Sequence, residues 1–385
     1  MDLKMLLSDQ GRADPFSIYA HLHSSGQAVA LDATKDGYAA AVYGYEAVSR
    51  VLRDPRFRQL GGEYMEANHS GWRRHRALVV LRDSMFFSDG PVHDRMRQRI
   101  GRYFTPRRMA ILEPSVAELT KVTLERLATL PEPIDFMGEF AFLLPSSVMA
   151  EVLGVPQEDL GWFRPRVLAI GAILELDGAT WRNMVRANTA ADELTEYFTA
   201  LVAARRAEPR DDLISILSDV DDAELIPNLI TTFNAGFVTT THLLGNGLML
   251  LLDDPSLRGK TITDEILRYE PPVQIVLRYA IEDCAVDGVP VQAGQAILVM
   301  LGAANRDPKR FPDPDRFDPA RPDNVSLSFS LGPHYCLGAA LSKLEAEIAF
   351  PALFERFPGL ALAQRPPEAK PLILRGHDQL LVTVR

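Results

Sequence analysis

The chain has 385 residues, of which 47% are hydrophobic and 24% are charged, and this is an ordinary globular composition. Its net charge of −10 argues against nucleic acid as a bulk partner. The 2 cysteines are too few for a disulfide framework, which fits a reducing cytoplasm, and the first residues resemble neither a membrane anchor nor a signal peptide.

Periodicity along the chain predicts a mainly α protein with small β-sheets. No linker or internal repeat interrupts it, so we expect a single domain over residues 1–385. Asp14-Pro15-Phe16 is typical of the start of a short helix, and residues 37–45 alternate like a strand and turn. Further apolar faces predict helices at 117–130, 139–153, 180–205 and 341–357, and strands within 284–301 and 372–384.

Residues 227–252 contain no Asp, Glu, Lys or Arg and predict one long helix. A transmembrane span is the alternative interpretation of such a segment. Asn228, Asn234, His242 and several threonines make it too polar for lipid, so we expect a buried helix that crosses the core.

The segment 329–338 places one cysteine in a loop shaped by glycine and proline. Leu337, Leu341, Leu344 and Ile348 follow at helical spacing, so Cys336 should lie at a helix N-terminus. There, free backbone N–H groups and the helix dipole favour an anionic sulfur, so we expect a thiol that ionises easily. An inert buried cysteine is the alternative.

Phe329, Gly332, His334, Cys336 and Gly338 have the spacing Phe-x-x-Gly-x-His-x-Cys-x-Gly. This pattern resembles the haem-binding signature of the cytochrome P450 family. The resemblance implies that Cys336 ligates the iron of haem b, with Phe329, His334 and Gly338 beside the cofactor. It also implies the cytochrome P450 fold, with the haem buried between the long central helix and the helix that follows the cysteine loop.

Residues 235–240 of the central helix, Ala-Gly-Phe-Val-Thr-Thr, resemble the oxygen-activation motif of that family. The resemblance implies that Ala235 and Gly236 make room for the cofactor and that Thr239 assists dioxygen activation. Thr239 could instead bond back to a carbonyl one turn earlier. Val238 departs from the family, which usually has an acid there to relay protons. Either water and a substrate group supply the protons, or the reaction departs from hydroxylation, for instance to coupling or desaturation.

Two further sets of residues match the family. Glu265-x-x-Arg268, with Arg321 as third member, resembles its structural ion-pair helix, which would hold the cysteine loop. The resemblance assigns the haem propionates to four positively charged or imidazole side chains, His93, Arg97, Arg278 and His334.

The resemblance also implies where substrate and electron donor bind. We expect substrate contacts from Asn234, Phe237, Val238 and Val276. A docking face for an acidic ferredoxin is expected on the cysteine side, although a solvated surface is nearly as good an interpretation. The basic positions concerned are Arg99, Arg102, Arg107, Arg108 and Lys343.

The resemblance implies an oxidoreductase of the EC 1.14 class, a monooxygenase that inserts one atom of O2 into a C–H or C=C bond. NADPH or NADH would supply electrons indirectly, through ferredoxin reductase and ferredoxin. We expect a cytoplasmic monomer without nucleic-acid or membrane partners. Its substrate would be a small polyketide, peptide or terpenoid of secondary metabolism, free or tethered to a carrier protein. A peroxide-driven oxygenase or oxidative coupling enzyme is one alternative, and a non-catalytic recruitment scaffold is another.

Overall fold

The computed structural model describes residues 3–368 and 370–384, and helices dominate it. Within these residues the helices are α1 Leu3–Leu7, α2 Asp9–Ala13, α3 Pro15–His23, α4 Ala33–Asp36, α5 Tyr45–Val51, α6 Gly62–Asn68, α7 Arg76–Arg82, α8 Gly90–Gly101, α9 Pro106–Leu127, α10 Leu143–Leu153, α11 Leu160–Ala172, α12 Trp181–Ala207, α13 Leu213–Ile216, α14 Asp222–Asp253, α15 Thr263–Tyr269, α16 Leu301–Ala304 and α17 Ala339–Arg356.

Three small sheets accompany the helices. The strands are β1 Ala28–Ala30, β2 Ala40–Val42, β3 Phe57–Arg58, β4 Ile134–Asp135, β5 Ile275–Ala280, β6 Cys284–Val286, β7 Val289–Val291, β8 Ala296–Met300, β9 Ala361–Leu362 and β10 Leu381–Thr383. They form a five-stranded sheet in the order β1-β2-β8-β5-β3, a three-stranded sheet β4-β10-β9, and the hairpin β6-β7. In the largest sheet β2 runs parallel to β8, and the other pairs are antiparallel.

Helix α14 is the predicted central helix, and it is longer than the sequence indicated. Asp221 caps its N-terminus by accepting a hydrogen bond from the Ala223 amide, so the helix begins before Pro227. It packs on α7, α10, α12 and α17. The helix is long and apolar enough to span a membrane, yet 61% of its most apolar stretch is buried inside the protein. This burial favours the core-helix interpretation.

Most predicted elements are confirmed with shifted bounds. The helix predicted at 117–130 is the second half of α9, and the one at 139–153 is a π-helical turn, Met137–Ala141, followed by α10. The strand prediction for 372–384 holds only at β10 and at one isolated bridge between Val273 and Leu374. The backbone amides of residues 372–374 donate to the Glu175 carboxylate instead of to the carbonyls of a neighbouring strand.

The predicted ion-pair helix is α15, and its charges are fully buried. Arg268 is 0% exposed and donates from Nε and Nη2 to both oxygens of Glu265, each at 2.7 Å. Glu265 also accepts from the Asp318 amide at 2.7 Å, from Asn324 at 3.0 Å and from Arg321 at 3.4 Å. Because the carboxylate is saturated with donors, α15 is tied firmly to the segment that leads to the cysteine loop.

Candidate functional site

The cysteine loop holds Cys336 by its own backbone. The Cys336 amide donates to the Phe329 carbonyl at 2.9 Å, which closes the loop. Gly332 has a φ of 71°, and any side chain there would overlap the Leu52 carbonyl, so both conformation and space require glycine. Helix α17 begins just after the loop, with Gly338 as its N-cap residue. The predicted position of Cys336 at a helix N-terminus is therefore confirmed.

The expectation of an easily ionised thiol is wrong for the polypeptide alone. Burial raises the pKa of Cys336, and this outweighs the lowering by the amides of Gly338 and Ala339 and by the charge of Arg97. The physical reason is that removing a thiolate from water costs more than two backbone N–H groups return. The thiolate at this position thus needs a further positive partner, which a metal ion would supply.

Cys336 faces an internal space. Burial dominates its pKa, so it lies deep in the protein, yet its side chain is exposed. Both observations hold together if the thiol borders a space enclosed by protein. Of the described residues, none comes within 4 Å of a side chain that would be added at Gly338, so the space continues beside this glycine.

The middle of α14 borders an internal space as well. Between residues 228 and 248 the helix is buried except for five half-buried positions, which are Asn234, Ala235, Gly236, Thr239 and His242. Three of these, Ala235, Thr239 and His242, share one helical face. Thr240 links this helix to the cysteine side, because its hydroxyl donates to the Ser342 hydroxyl of α17 at 3.0 Å.

Phe237 does not share that face, so the prediction of a substrate contact there is wrong. It is 1% exposed and packs edge-on against Phe142 and Phe233, with ring centroids 5.3 and 5.1 Å away. Two residues along a helix turn the side chain by about 200°, which directs Phe237 away from Thr239.

Gly236 also has a different reason to be glycine than the one predicted. A side chain at this position would overlap Met149, so the missing Cβ lets α14 approach α10. The structure therefore assigns Gly236 to helix packing, whereas Ala235 stays on the half-buried face. Val238 is buried at the edge of that face, and Val276 lies on β5, half-buried against the core of the large sheet.

Thr239 bonds back along its own helix, as the alternative interpretation expected. Its hydroxyl donates to the Ala235 carbonyl at 3.1 Å. This leaves the oxygen of the hydroxyl able to accept a hydrogen bond from a group in the space. Asn234 is half-buried and shows no hydrogen bond of its side chain to other described residues.

The four predicted propionate anchors come from three separate elements and converge. His93 of α8 and His334 of the cysteine loop lie with ring centroids 4.3 Å apart. Arg97, one turn after His93, donates from Nη2 to the Tyr335 carbonyl at 2.6 Å. Arg278 of β5 is buried, and burial lowers the pKa of its guanidinium to about 10, opposed by the charge of Asp89.

Sequence reasoning missed Asp89, which organises this group. Its Oδ1 lies 2.9 Å from His334 Nε2, and its Oδ2 accepts a hydrogen bond from the backbone amide of Gln59 at 2.8 Å. Gln59 in turn accepts from Arg278 Nη1 at 3.1 Å. Burial raises the pKa of Asp89, but the bonds from His334 and Gln59 bring it below its usual value. An acidic residue directly before Gly-Pro at a helix start was the available signal.

The predicted ferredoxin-docking face is less positive than expected. Arg99 pairs with Asp219, Arg108 with Asp211 at 3.1 Å, and Lys343 with Asp264. Arg102 and Arg107 are the exposed members of the set for which the described structure shows no ion pair. Acidic residues from distant parts of the sequence neutralise the others, and no local pattern could reveal them.

These features fit the haem that the resemblance implies. One deep thiol borders an open space, a glycine beside it leaves that space free, and arginine and histidine side chains converge from α8, β5 and the cysteine loop. A flat, dianionic macrocycle with one thiolate ligand needs this combination.

Comparisons with known protein sequences identify the family. A model of the cytochrome P450 family matches residues 260–382. The chain is 36% identical over 375 residues to the cytochrome P450 monooxygenase PikC of Streptomyces venezuelae, which covers 92% of this chain and 87% of that protein.

Solved structures extend the agreement to the whole fold. P450BioI in complex with an acyl carrier protein ligated to hexadec-9Z-enoic acid matches with a TM-score of 0.89 and 31% identity, over 98% of this chain and 100% of that one. The cytochrome P450 PksS of the bacillaene polyketide synthase of Bacillus subtilis 168 matches with a TM-score of 0.85 and 30% identity, over 97% and 98%. By sequence and by fold, the chain belongs to the cytochrome P450 family and is a monooxygenase of the bacterial type.

Proposed function

We propose that this monooxygenase inserts one oxygen atom of O2 into a C–H or C=C bond of a small organic substrate of secondary metabolism. The observation that carries the proposal is the deep Cys336 thiol at the edge of an internal space, joined to the Thr239 helix by the hydrogen bond between Thr240 and Ser342. A thiol and a half-buried hydroxyl on packed helices suit a cofactor that lies between them.

In this proposal Cys336 holds haem b by its sulfur, and His93, Arg97, Arg278 and His334 bind the two propionates. Bound haem supplies the chemistry of O2 reduction and oxygen transfer. The chain itself fixes the ligand: the loop hydrogen bond from Cys336 to Phe329 sets the position of the sulfur, and the saturated Glu265 network holds the loop from outside. The amides of Gly338 and Ala339 stabilise negative charge on the sulfur.

Thr239 and ordered water supply protons in this proposal, because Val238 has no group that carries one. The hydroxyl of Thr239 is held by Ala235 and keeps its oxygen free for a hydrogen bond in the space. Peroxide-driven turnover is the alternative that Val238 leaves open.

Electrons and substrate come from separate molecules in this proposal. Ferredoxin and ferredoxin reductase would deliver electrons from NADPH or NADH, and Arg102 and Arg107 are the exposed basic positions for docking. The polyketide-synthase and carrier-protein contexts of two similar structures support a tailoring substrate that is free or tethered.

The test is the absorption spectrum of the purified protein, reduced under carbon monoxide. We expect a strongly red-shifted carbonyl Soret band in the wild type and in Cys284→Ser, the matched control at the other free cysteine. Cys336→Ser should lose that shift, because serine cannot supply a thiolate. Absence of haem from the reconstituted wild type, or retention of the shifted band in Cys336→Ser, would contradict the proposal.

A further inference from the structure

Arg82 is a deep cation that forms no ion pair with the residues that the structure describes. It is the last residue of α7 and is half-buried. Within the described part of the chain its guanidinium makes no ion pair, and its Nε is buried without a hydrogen-bond partner. The adjacent Asp83 does not serve it, since the charges that act on Asp83 are those of Arg73 and Arg76.

Several other deep arginines of this protein are paired with acids. Arg205 donates to Asp212 at 2.6 Å, and Arg375 donates to Glu270 at 2.9 Å. Arg268 donates to both oxygens of Glu265. A guanidinium carries five N–H donors, and leaving them desolvated and unpaired is costly, so Arg82 departs from these three arginines. Arg278 also lacks an ion pair, but it donates to Gln59 and to the Leu277 carbonyl.

An aromatic ring lies against the guanidinium of Arg82. Its Cζ lies 4.3 Å from the centre of the Phe87 ring, and the groups that influence its charge are the phenols of Tyr64 and Tyr38. Burial lowers the pKa of Arg82 to about 10, so it remains a cation at neutral pH. Aromatic faces hold the cation in place but do not neutralise it. The N–H groups of the Arg82 guanidinium that are still accessible can donate hydrogen bonds to an anion.

The segment that carries Arg82 is joined to the central helix and to the cysteine loop. The amide of Met85 donates to Asn228 of α14 at 2.9 Å, which ties the segment to the central helix. Asp89, further along, holds His334 of the cysteine loop. Arg82 itself belongs to α7, whereas the propionate candidates belong to α8, β5 and the cysteine loop.

We propose that Arg82 binds the carboxylate of the substrate, so that the enzyme takes acidic rather than neutral molecules. The inference rests on the proposed function, which places the substrate in the internal space. A guanidinium fork matches a carboxylate with two parallel hydrogen bonds. Phe87, Tyr38 and Tyr64 exclude water from the pair, and the buried charge gains the partner that the polypeptide does not give it.

The experiment compares hexadec-9-enoic acid with its alcohol and its methyl ester, which share one chain and differ only in the head group. Dissociation constants are measured on haem-loaded protein by isothermal titration calorimetry and by the shift of the Soret band. We expect the wild type to bind the acid about 10- to 100-fold more tightly than the alcohol, as for a hydrogen-bonded charge pair.

Variants locate that preference. Arg82→Gln should abolish it, and Arg82→Lys, which keeps the charge without the fork, should retain part of it. The control is Arg73→Gln, an arginine of the same segment that lies 4.5 Å over the Trp72 ring but is exposed and paired with Glu66. This control should bind like the wild type.

Three results would overturn the inference. In the wild type, equal binding of the acid and the alcohol would exclude a carboxylate site. Tighter binding of a carrier-linked acyl group, which lacks a free carboxylate, than of the acid would exclude it as well. Loss of haem from Arg82→Gln but not from Arg73→Gln would assign Arg82 to the cofactor. The carbonyl spectrum separates these from failure of the proposed function, because a normal spectrum with no acid preference rejects the Arg82 site alone.

Discussion

The Glu265 network of α15 and the region formed by α7, α14 and the turn at 376–379 treat buried polar groups in opposite ways. In the network, Glu265 and Arg268 have several partners each. In the second region, Arg82 Nε, His242 Nδ1, Asn246 Oδ1 and His377 Nε2 are buried without partners among the described residues. A saturated network fixes one geometry, whereas unpaired groups keep affinity for molecules that enter.

The turn at 376–379 packs directly on α14, beside the unpartnered polar groups of that helix. A side chain at Gly376 would overlap the His242 ring, so the turn and the central helix are in direct contact there. Asn246, one turn further along α14, donates to the Arg375 carbonyl at 3.1 Å. This turn therefore packs on the same helix as Thr239.

Breaking the Glu265 network should have the largest effect on stability. Glu265→Gln leaves the fully buried Arg268 without its counter-charge, and we expect the free energy of unfolding to fall by about 3 to 5 kcal/mol, with loss of bound haem. Chemical denaturation and the haem content of the purified protein measure this.

The control for that variant is an exposed ion pair of the same chemistry. Arg365 and Asp253 are 2.6 Å apart with side chains 73% and 49% exposed, so Asp253→Asn should change stability by about 0 to 1 kcal/mol. Equal effects of the two variants would show that burial does not give the Glu265 network its importance.

His242 and His377, whose ring nitrogens are buried without partners among the described residues, should make stability depend on pH. Burial lowers the pKa of His242 from 6.5 to about 4 and that of His377 to about 3. Below pH 6.5 the unfolded chain therefore binds protons that the folded chain refuses, so stability falls as the pH drops from about 6.5 towards 4. For His242 the loss is about 3 kcal/mol, at about 1.4 kcal/mol per pKa unit.

Unfolding curves between pH 7 and pH 4 test this expectation. The double variant His242→Gln, His377→Asn should flatten the profile, whereas His21→Gln, at an exposed position of α3, should leave it as in the wild type. A double variant with the wild-type profile would mean that other groups cause the acid instability.

Substitution of Thr239 should have the smallest effect on stability and should change only the catalytic function. Thr239→Ala is expected to lower the product formed per NADPH consumed severalfold with little change in stability, because the hydroxyl lies on the half-buried face beside Val238. Thr241→Ala is the matched control, since Thr241 makes the same kind of bond, to the Phe237 carbonyl at 2.9 Å, but is buried. Unchanged coupling in Thr239→Ala would remove Thr239 from the mechanism.

The sequence alone determined the features that depend on local spacing. The cysteine loop, the central helix, the Glu265 and Arg268 pair and the four propionate candidates were all predicted, because glycine conformation, helical period and motif order are properties of short segments. These features establish the fold and the class of enzyme.

Only the tertiary structure decided which side chains face the space and which have partners. Phe237 and Gly236 belong to the predicted motif, yet they pack on α10 and its neighbours, because helix orientation depends on what lies across from each face. Asp89 gained its role from His334, which is distant in sequence. Arg82 stands out because, among the described residues, no acid forms an ion pair with it. Such pairing is set by three-dimensional neighbours, and a linear pattern does not contain it.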